Sequence, residues 1–212
     1  MGQLPQVIQI YHIVHVDRLP SILDSNMLFC DSEGTSRQLS GTVIGLNKIK
    51  QRRIDLHLSS YPDLCVGSCV PFYFCPRSVM LYLIYKQNSE LDYQGGQKHV
   101  IHLVADLFET VSWANENNRR WAFTTSNAGS RYFTDFNDLQ KLNAINWDAV
   151  NSRAWNNCKE EKQAEFLLEQ DFPWFLVKEI GVFSKSLENK VALTMTNSSH
   201  VPIIKVTPDW YY

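Results

Sequence analysis

Apolar positions along the chain alternate between short continuous runs and a three-to-four spacing, so strands and helices are predicted to interleave from end to end. Val7–Tyr11 is short and β-branched-rich and predicts a strand. From Asp17 to Asn26 the apolar Leu19, Ile22 and Leu23 fall at helical spacing, with Asp17 as the expected N-cap and Asn26 near the stop. Val70–Phe74 is apolar throughout, as a buried strand is. Ser78–Tyr85, following Pro76, predicts a helix buried on most sides. Gly95-Gly96 predicts a turn before a strand at Val100–Val104, which leads into a helix over Asp106–Asn115 with Leu107, Val111 and Ala114 on one face. Further strands are predicted at Trp121–Thr124, Phe175–Val177, Gly181–Ser184, Val191–Thr194 and Ile203–Val206, and a short helix at Asp135–Leu142. Two stretches resist assignment. Ser36–Ser59 has weak helical character at Ile44–Arg53 and exceeds an ordinary connection, which marks it as a functional or mobile loop. Asn143–Lys159 is irregular and rich in Asn and Trp. Interleaved elements of both kinds predict an α+β fold with a mixed central sheet and flanking helices.

Composition sharpens this. With 212 residues, 44% of them apolar and 12% aromatic, the chain suits one domain spanning 1–212 that buries its own core. No repeat and no linker-like stretch divides it. The first thirty residues carry no basic start followed by an apolar core, and the longest apolar runs, Cys69–Cys75 and Val79–Tyr85, are far shorter than the roughly 20 residues that span a bilayer. The expectation is a cytoplasmic protein without membrane contact. Five cysteines with no C-x-x-C pair favour reduced structural thiols over disulfides or a metal site. A net charge of −2 excludes binding of polyanions through overall positive charge. Between Ser36 and Ile54, however, lie Arg37, Lys48, Lys50, Arg52 and Arg53 with no acidic residue. On composition alone this run reads as a solvated face before it reads as a polyanion-facing segment.

Common catalytic signatures are missing. Gly41-Thr-Val-Ile-Gly45-Leu-Asn-Lys48 lacks the spacing of a phosphate-binding loop, and there is no G-x-S-x-G, H-E-x-x-H or G-x-G-x-x-G. Tyr11-His12-Ile13-Val14-His15 ends the first predicted strand with two histidines, which serve either as hydrogen-bonded structural residues or as one wall of an anion or nucleotide site. Lys162–Leu168 is ambiguous too. As a helix it lines up Glu161, Glu165 and Glu169 as a solvated acidic stripe. As a strand it puts Gln163 and Glu165 on one face, an amide beside a carboxylate, able to orient sugar hydroxyls and stabilise developing positive charge.

Several blocks together resemble the DarT family of DNA ADP-ribosyltransferase toxins: Tyr11-His-Ile-Val-His-Val-Asp17, Gln51-Arg-Arg53, Val70-Pro-Phe-Tyr-Phe-Cys-Pro-Arg-Ser78 with Met80-Leu-Tyr82, Tyr93-Gln-Gly-Gly-Gln97, Lys162-Gln-Ala-Glu-Phe166 and Asp209-Trp-Tyr-Tyr212. The resemblance covers nearly the whole chain in order. It implies an ADP-ribosyltransferase fold, NAD as ADP-ribose donor, no metal, and thymidine in single-stranded DNA as acceptor. It also implies a monomer countered by a DarG-type macrodomain antitoxin. By position it places Glu165 and Arg53 as catalytic. His12, Ile13, Val14, Ser21, Phe29, Arg53, Tyr73 and Met80 would bind NAD, Ser36–Arg53 would close over it, and Thr125–Glu165 would face the acceptor. Under this reading Trp147, Trp155, Tyr132 and Phe133 become candidates for stacking on bases. Asn127 stands where the family member compared has histidine, and Lys159 where it has arginine, which bears on the acceptor side. Cleavage of the nicotinamide–ribose bond builds an oxocarbenium-like centre, a role for the Glu165 carboxylate, while Arg53 is suited to electrostatic stabilisation and not to proton abstraction. Other acceptors, RNA or protein, and a catalytically idle nucleic-acid binder are the alternatives.

Overall fold

The computed structural model describes residues 7–37 and 40–212, so positions 38 and 39 of the Ser36–Ser59 stretch, and 1–6 of the expected domain, lie outside the described residues. In chain order the elements are β1 (Gln9–His15), α1 (Leu19–Ser25), β2 (Met27–Phe29), α2 (Asp31–Ser36), α3 (Asn47–Asp55), β3 (Cys69–Tyr73) and α4 (Val79–Tyr85). There follow β4 (Val100–Asp106), α5 (Leu107–Glu116), β5 (Trp121–Asn127), β6 (Asp135–Phe136), α6 (Trp147–Asn151), β7 (Ala164–Glu169), β8 (Asp171–Pro173), β9 (Glu179–Val182), α7 (Lys185–Thr194) and β10 (Ile203–Val206). Eight strands form one sheet in the order β10-β9-β4-β1-β3-β7-β5-β6, and β2 pairs with β8. Within the sheet only β9 and β10 run parallel, so it is mixed, as the interleaved pattern predicts.

Alternation along β3 sends Val70 and Phe72 into the main core with Phe166, Phe172 and Trp174, while Tyr73 faces a second cluster built on Ile13, Leu81, Ile84 and Tyr211. Caps fix the helices that flank this sheet. Ser78 Oγ accepts from Leu81 N at 3.1 Å, which starts α4 two residues after Pro76. Asp106 caps α5 through Glu109 N at 2.9 Å, and Asn26 ends α1 in the left-handed conformation. The terminal aromatics complete the second cluster. Tyr211 donates its hydroxyl to Val100 O at 2.8 Å, and the Arg77 guanidinium lies 4.2 Å from the Tyr212 ring centroid.

Three expected elements are corrected. Val191–Thr194 is the last turn of α7: Leu187 and Val191 are both buried, four residues apart, behind a Ser184 cap, a helical spacing that outweighs the β-branched look of the short run. Phe175–Val177 is a tight turn following β8. Asp135–Leu142 is not a helix; Asp135 and Phe136 pair with Thr124 and Phe123, and a 3-10 turn follows at Leu139–Ala144. The buried Asp135 carboxylate accepts from Ser59 N at 2.8 Å and Ser60 N at 2.9 Å, so it holds a loop 75 residues away in sequence. The Ser36–Ser59 stretch contains a nine-residue helix, α3.

Helix α3 is seated by a glycine. A Cβ on Gly67 would lie 3.0 Å from Ile54 N and Cα and 3.1 Å from the Arg53 carbonyl carbon, all backbone that cannot swing aside. Gly67→Ala is therefore expected to push α3 outward and lower the unfolding free energy by about 1–3 kcal/mol, the cost of overpacking. A urea midpoint equal to that of the wild type would show that the seat is looser than this geometry requires.

Candidate active site

The site begins with a break in the sheet. β1 and β3 are neighbours, yet their only registered pair is Tyr11 opposite Tyr73. The next positions on β3 include Pro71, which has no N–H. In a strand the N–H and C=O of one residue point to the same side, and the Pro71 carbonyl accepts from His12 Nδ1 at 2.7 Å, so the missing donor faces β1. The ladder stops there and a cavity of ≈ 560 Å³ opens between the strands, lined by His12, Ile13, Val14, Pro71 and Tyr73 and covered by residues from α3, α4 and the Thr42–Leu46 loop. That volume suits a nucleotide-sized ligand.

His12 is half-buried, and loss of water around its ring lowers its pKa to about 4 against a smaller upward pull from Pro71. The ring is neutral at pH 7. Since a carbonyl can only accept, Nδ1 carries the proton and Nε2 presents a lone pair.

On the far side of β3, Tyr73 stands opposite Glu165 of β7, which decides the ambiguity of Lys162–Leu168 in favour of a strand. Glu165 is 3% exposed. Its backbone N–H is bonded to Thr124 Oγ1 at 3.1 Å in place of a ladder carbonyl, at a register shift between Phe123 and Asn127 of β5. The extra residues of this bulge, 124–126, lie on β5 opposite the single residue Glu165 of β7. Both carboxylate oxygens are held: Arg53 Nη1 donates to Oε2 at 2.9 Å, and Ala128 N to Oε1 at 3.2 Å. Burial works against the Arg53 charge, but the adjacent Glu165 outweighs it and raises the Arg53 pKa. Arg53 Nη2 is buried and has no partner among the described residues, an open donor on a cavity wall. Burial, reinforced by Glu165, also raises the Tyr73 hydroxyl pKa, so Tyr73 remains protonated at neutral pH.

The covering loop is latched. Asp17 accepts from Thr42 N at 3.0 Å and Thr42 Oγ1 at 2.6 Å. Although partial burial pushes upward, these bonds and the one from His15 lower the Asp17 pKa to about 2. Gly41 has φ +113°, and a Cβ there would meet Arg18 Cγ at 2.5 Å, so the crossing needs glycine. Asp17 thus serves as a latch and does not cap α1, whose N-cap residue, Arg18, makes no side-chain capping bond.

Of the expected residues, the structure gathers Glu165, Arg53, His12, Ile13, Val14, Phe29, Tyr73 and Met80 around one cavity. Ser21 is not among the lining residues; it sits in α1, where its carbonyl accepts from Ser25 Oγ at 2.9 Å. Asn127, Lys159 and Gln163 also line the cavity, with Asn127 Nδ2 donating to Gln163 Oε1 at 3.2 Å. Sequence reasoning missed Arg18, Ile49 and the Ala128 N–H. The last is backbone and leaves no signal in a sequence. Helical spacing from Arg53 back to Ile49 could have indicated the second. The basic run turns out largely compensated: Arg37 pairs with Glu33, Lys48 with Glu90, Lys50 with Asp31 and Arg53 with Glu165. All five cysteines are free. No group of residues suited to hold a metal ion, and no helix long and apolar enough to cross a membrane, occurs among the described residues.

Comparison with known proteins agrees with this geometry. A family model described as "DarT: ssDNA thymidine ADP-ribosyltransferase, DarT" matches residues 11–212. A Thermus aquaticus protein named DNA ADP-ribosyl transferase is 36% identical over 205 residues, covering 96% of this chain and 88% of that one. The structure of Thermus sp. 2.9 DarT in complex with ADP-ribosylated ssDNA superposes with a TM-score of 0.90 at 30% identity, covering 100% of this chain and 99% of that one. The same protein in complex with NAD+ gives a TM-score of 0.83 at 29% identity, covering 99% of this chain and 100% of that one.

A fully buried histidine and a half-buried one set an acid sensitivity. His102 of β4 is fully buried, donates Nε2–H to Pro76 O at 2.9 Å, and has its pKa lowered by burial to about 4, like His12. Between that value and an ordinary 6.5 the unfolded chain binds more protons than the folded one, so stability falls as pH falls through this window. The expected slope for His102 is at most about 1.4 kcal/mol per pH unit. Urea titrations from pH 7 to pH 4 should show it, and His102→Gln should flatten it; equal slopes in the two proteins would refute the assignment.

Proposed function

The chain belongs to the DarT family, matched from residue 11 to residue 212, and from that premise we propose that it transfers ADP-ribose from NAD to thymidine bases in single-stranded DNA, releasing nicotinamide. The observation that carries this reading beyond the family is the buried Glu165–Arg53 pair in a nucleotide-sized cavity, with one guanidinium donor left open.

NAD fits what the cavity offers. Beyond Tyr11 the backbone of His12–Val14 has no ladder partner on β3, which leaves N–H and C=O groups able to hold the nicotinamide amide. Neutral His12 presents Nε2 as an acceptor toward a ribose hydroxyl. Arg18 and Lys50 line the cavity as cations for the diphosphate, and Phe29 and Met80 supply apolar wall. The Glu165 carboxylate, fixed by Arg53 and Ala128, stands ready to stabilise positive charge developing on the ribose as the bond to nicotinamide breaks and its electron pair leaves with the ring. The incoming thymine imide must lose a proton as its nitrogen bonds to the ribose carbon. Arg53 remains protonated and so acts as a donor: Nη1 keeps Glu165 in place while Nη2 is free for an oxygen of the base or of NAD. Glu165 then receives the imide proton. Asn127, Lys159 and Gln163 bound the acceptor side. A monomeric cytoplasmic enzyme, countered by a DarG-type macrodomain antitoxin that removes the modification, completes the proposal.

Oligonucleotides of DNA and RNA containing each base in turn, incubated with NAD and analysed by mass spectrometry, test it. An ADP-ribose adduct is expected on thymine-containing DNA alone, and none with Glu165→Ala. Adducts on RNA or on the protein itself instead would transfer the chemistry to another acceptor. Arg53→Lys, which supplies one point donor where the fork supplies two, is expected to lower the transfer rate by about 10²-fold or more; full activity would contradict the divided role of the guanidinium.

A further inference from the structure

The loop from Ala128 to Thr134, between β5 and β6, is tied at both ends. At one end Ala128 N donates to Glu165 Oε1 at 3.2 Å, and a Cβ on Gly129 would stand 2.9 Å from Ile49 Cγ2 and 3.9 Å from Arg53 Cγ. At the other end Thr125 N donates to Thr134 O at 3.1 Å, and Phe133 packs on the cluster of Leu58, Val66 and Leu167. Between these anchors Tyr132 is 79% exposed, with the Arg131 guanidinium 5.6 Å from its ring centroid.

Of the four aromatics that could stack on bases, three are occupied. Trp147 is buried in the main core, Trp155 meets Tyr82 edge-on at 5.2 Å, and Phe133 anchors the loop. Tyr132 keeps an open face. The four-residue step from Ala128 spans at most about 14 Å of chain, and stacked nucleotides advance about 3.4 Å each, so the ring stands within a few nucleotides of a base at Glu165. Arg131 and Arg52 have no carboxylate partner among the described residues, whereas Arg37 is paired with Glu33 and Arg53 with Glu165.

We propose that Arg131 and Tyr132 form a platform for the nucleotide next to the acceptor thymidine, with Tyr132 stacked on its base and Arg131 against its phosphate. Stacking on an aromatic tolerates any base, while a cation on the backbone adds affinity without sequence. The platform acts as a positioning device: held through Ala128 to the Glu165 carboxylate, it sets how the strand enters. It rests on the reading of single-stranded DNA as acceptor.

Steady-state transfer to short adenine oligonucleotides carrying one thymine tests this, with the neighbouring nucleotide on either side intact or replaced by an abasic residue. Tyr132→Ala is expected to raise the KM for oligonucleotide roughly 5- to 100-fold, leaving kcat and the KM for NAD unchanged, and Tyr132→Trp is expected to restore it. An abasic residue on one side of the thymine should raise the wild-type KM similarly, and Tyr132→Ala should lose nothing further on that substrate. Arg131→Ala should reduce the slope of log affinity against log salt by about 0.7. An unchanged KM in Tyr132→Ala, an equal loss on intact and abasic strands, or a fall in kcat alone overturns the platform. A wild type that modifies no oligonucleotide at all overturns the parent reading, and the platform falls with it.

Discussion

A proline in the middle of a sheet creates the site. Pro71 lies on β3 between two neighbours, β1 and β7, and keeps its register only with one: it stands opposite Leu167 of β7, while toward β1 it offers a carbonyl and no donor. The His12 imidazole occupies that carbonyl, so the break is closed by a side chain and no buried acceptor is left unsatisfied. β1 remains anchored on its other edge by seven registered pairs with β4, which is why it can part from β3 without losing its place. The cavity is thus a gap in an otherwise continuous core, and the same bond that closes it sets the histidine tautomer, while burial keeps the ring neutral.

The second requirement is to hold a carboxylate and a guanidinium in that gap. Removing two charges from water is costly, and a buried pair is poor evidence of stability. Its geometry here comes from elements that have other reasons to be where they are. β7 is held between β3 and β5, α3 is seated against Gly67, and the Ala128 N–H comes from a loop anchored by Phe133. Thr124 supplies the hydroxyl that replaces one ladder bond where the strands slip register. Each contributes one constraint, and the unsatisfied Arg53 Nη2 is what remains after they are all met.

Much of this was legible before the structure. The strands at Val70, Val100 and Trp121 and the helices at Ser78 and Asp106 follow from continuous or helical apolar spacing with caps that need only local chemistry. Local pattern offered His12 and Glu165 as candidates, but only the resemblance joined them to Arg53 in one site, since a separation of up to 153 positions leaves no periodic trace. Where the reading failed, tertiary pairing had overruled local pattern. Asp135 and Phe136 look helical until Phe123 and the loop at Ser59 claim them, and Val191–Thr194 looks extended until Leu187 is recognised as its partner across one helical turn. Ser21 is the expected ligand that the fold leaves outside the cavity lining. Backbone donors such as Ala128 N could not have been found, because every residue has one.

The distribution of charge explains how a chain with net charge −2 can handle a polyanion. Of the basic run, four residues are engaged with carboxylates, two of those pairs lining or bordering the cavity, so little positive field extends into solvent. A protein that neutralises few phosphates releases few counterions, and its affinity for nucleic acid then depends weakly on salt and rests on what happens to individual bases. Under the proposed function, selection then rests on contacts to the acceptor base near Glu165, where Asn127, Lys159 and Gln163 line the same cavity, and on the nucleotides immediately beside it. Weak global attraction is therefore consistent with specificity: a strand held by a few contacts near Glu165 dissociates quickly unless the right base is in place, so discrimination is made where the chemistry occurs.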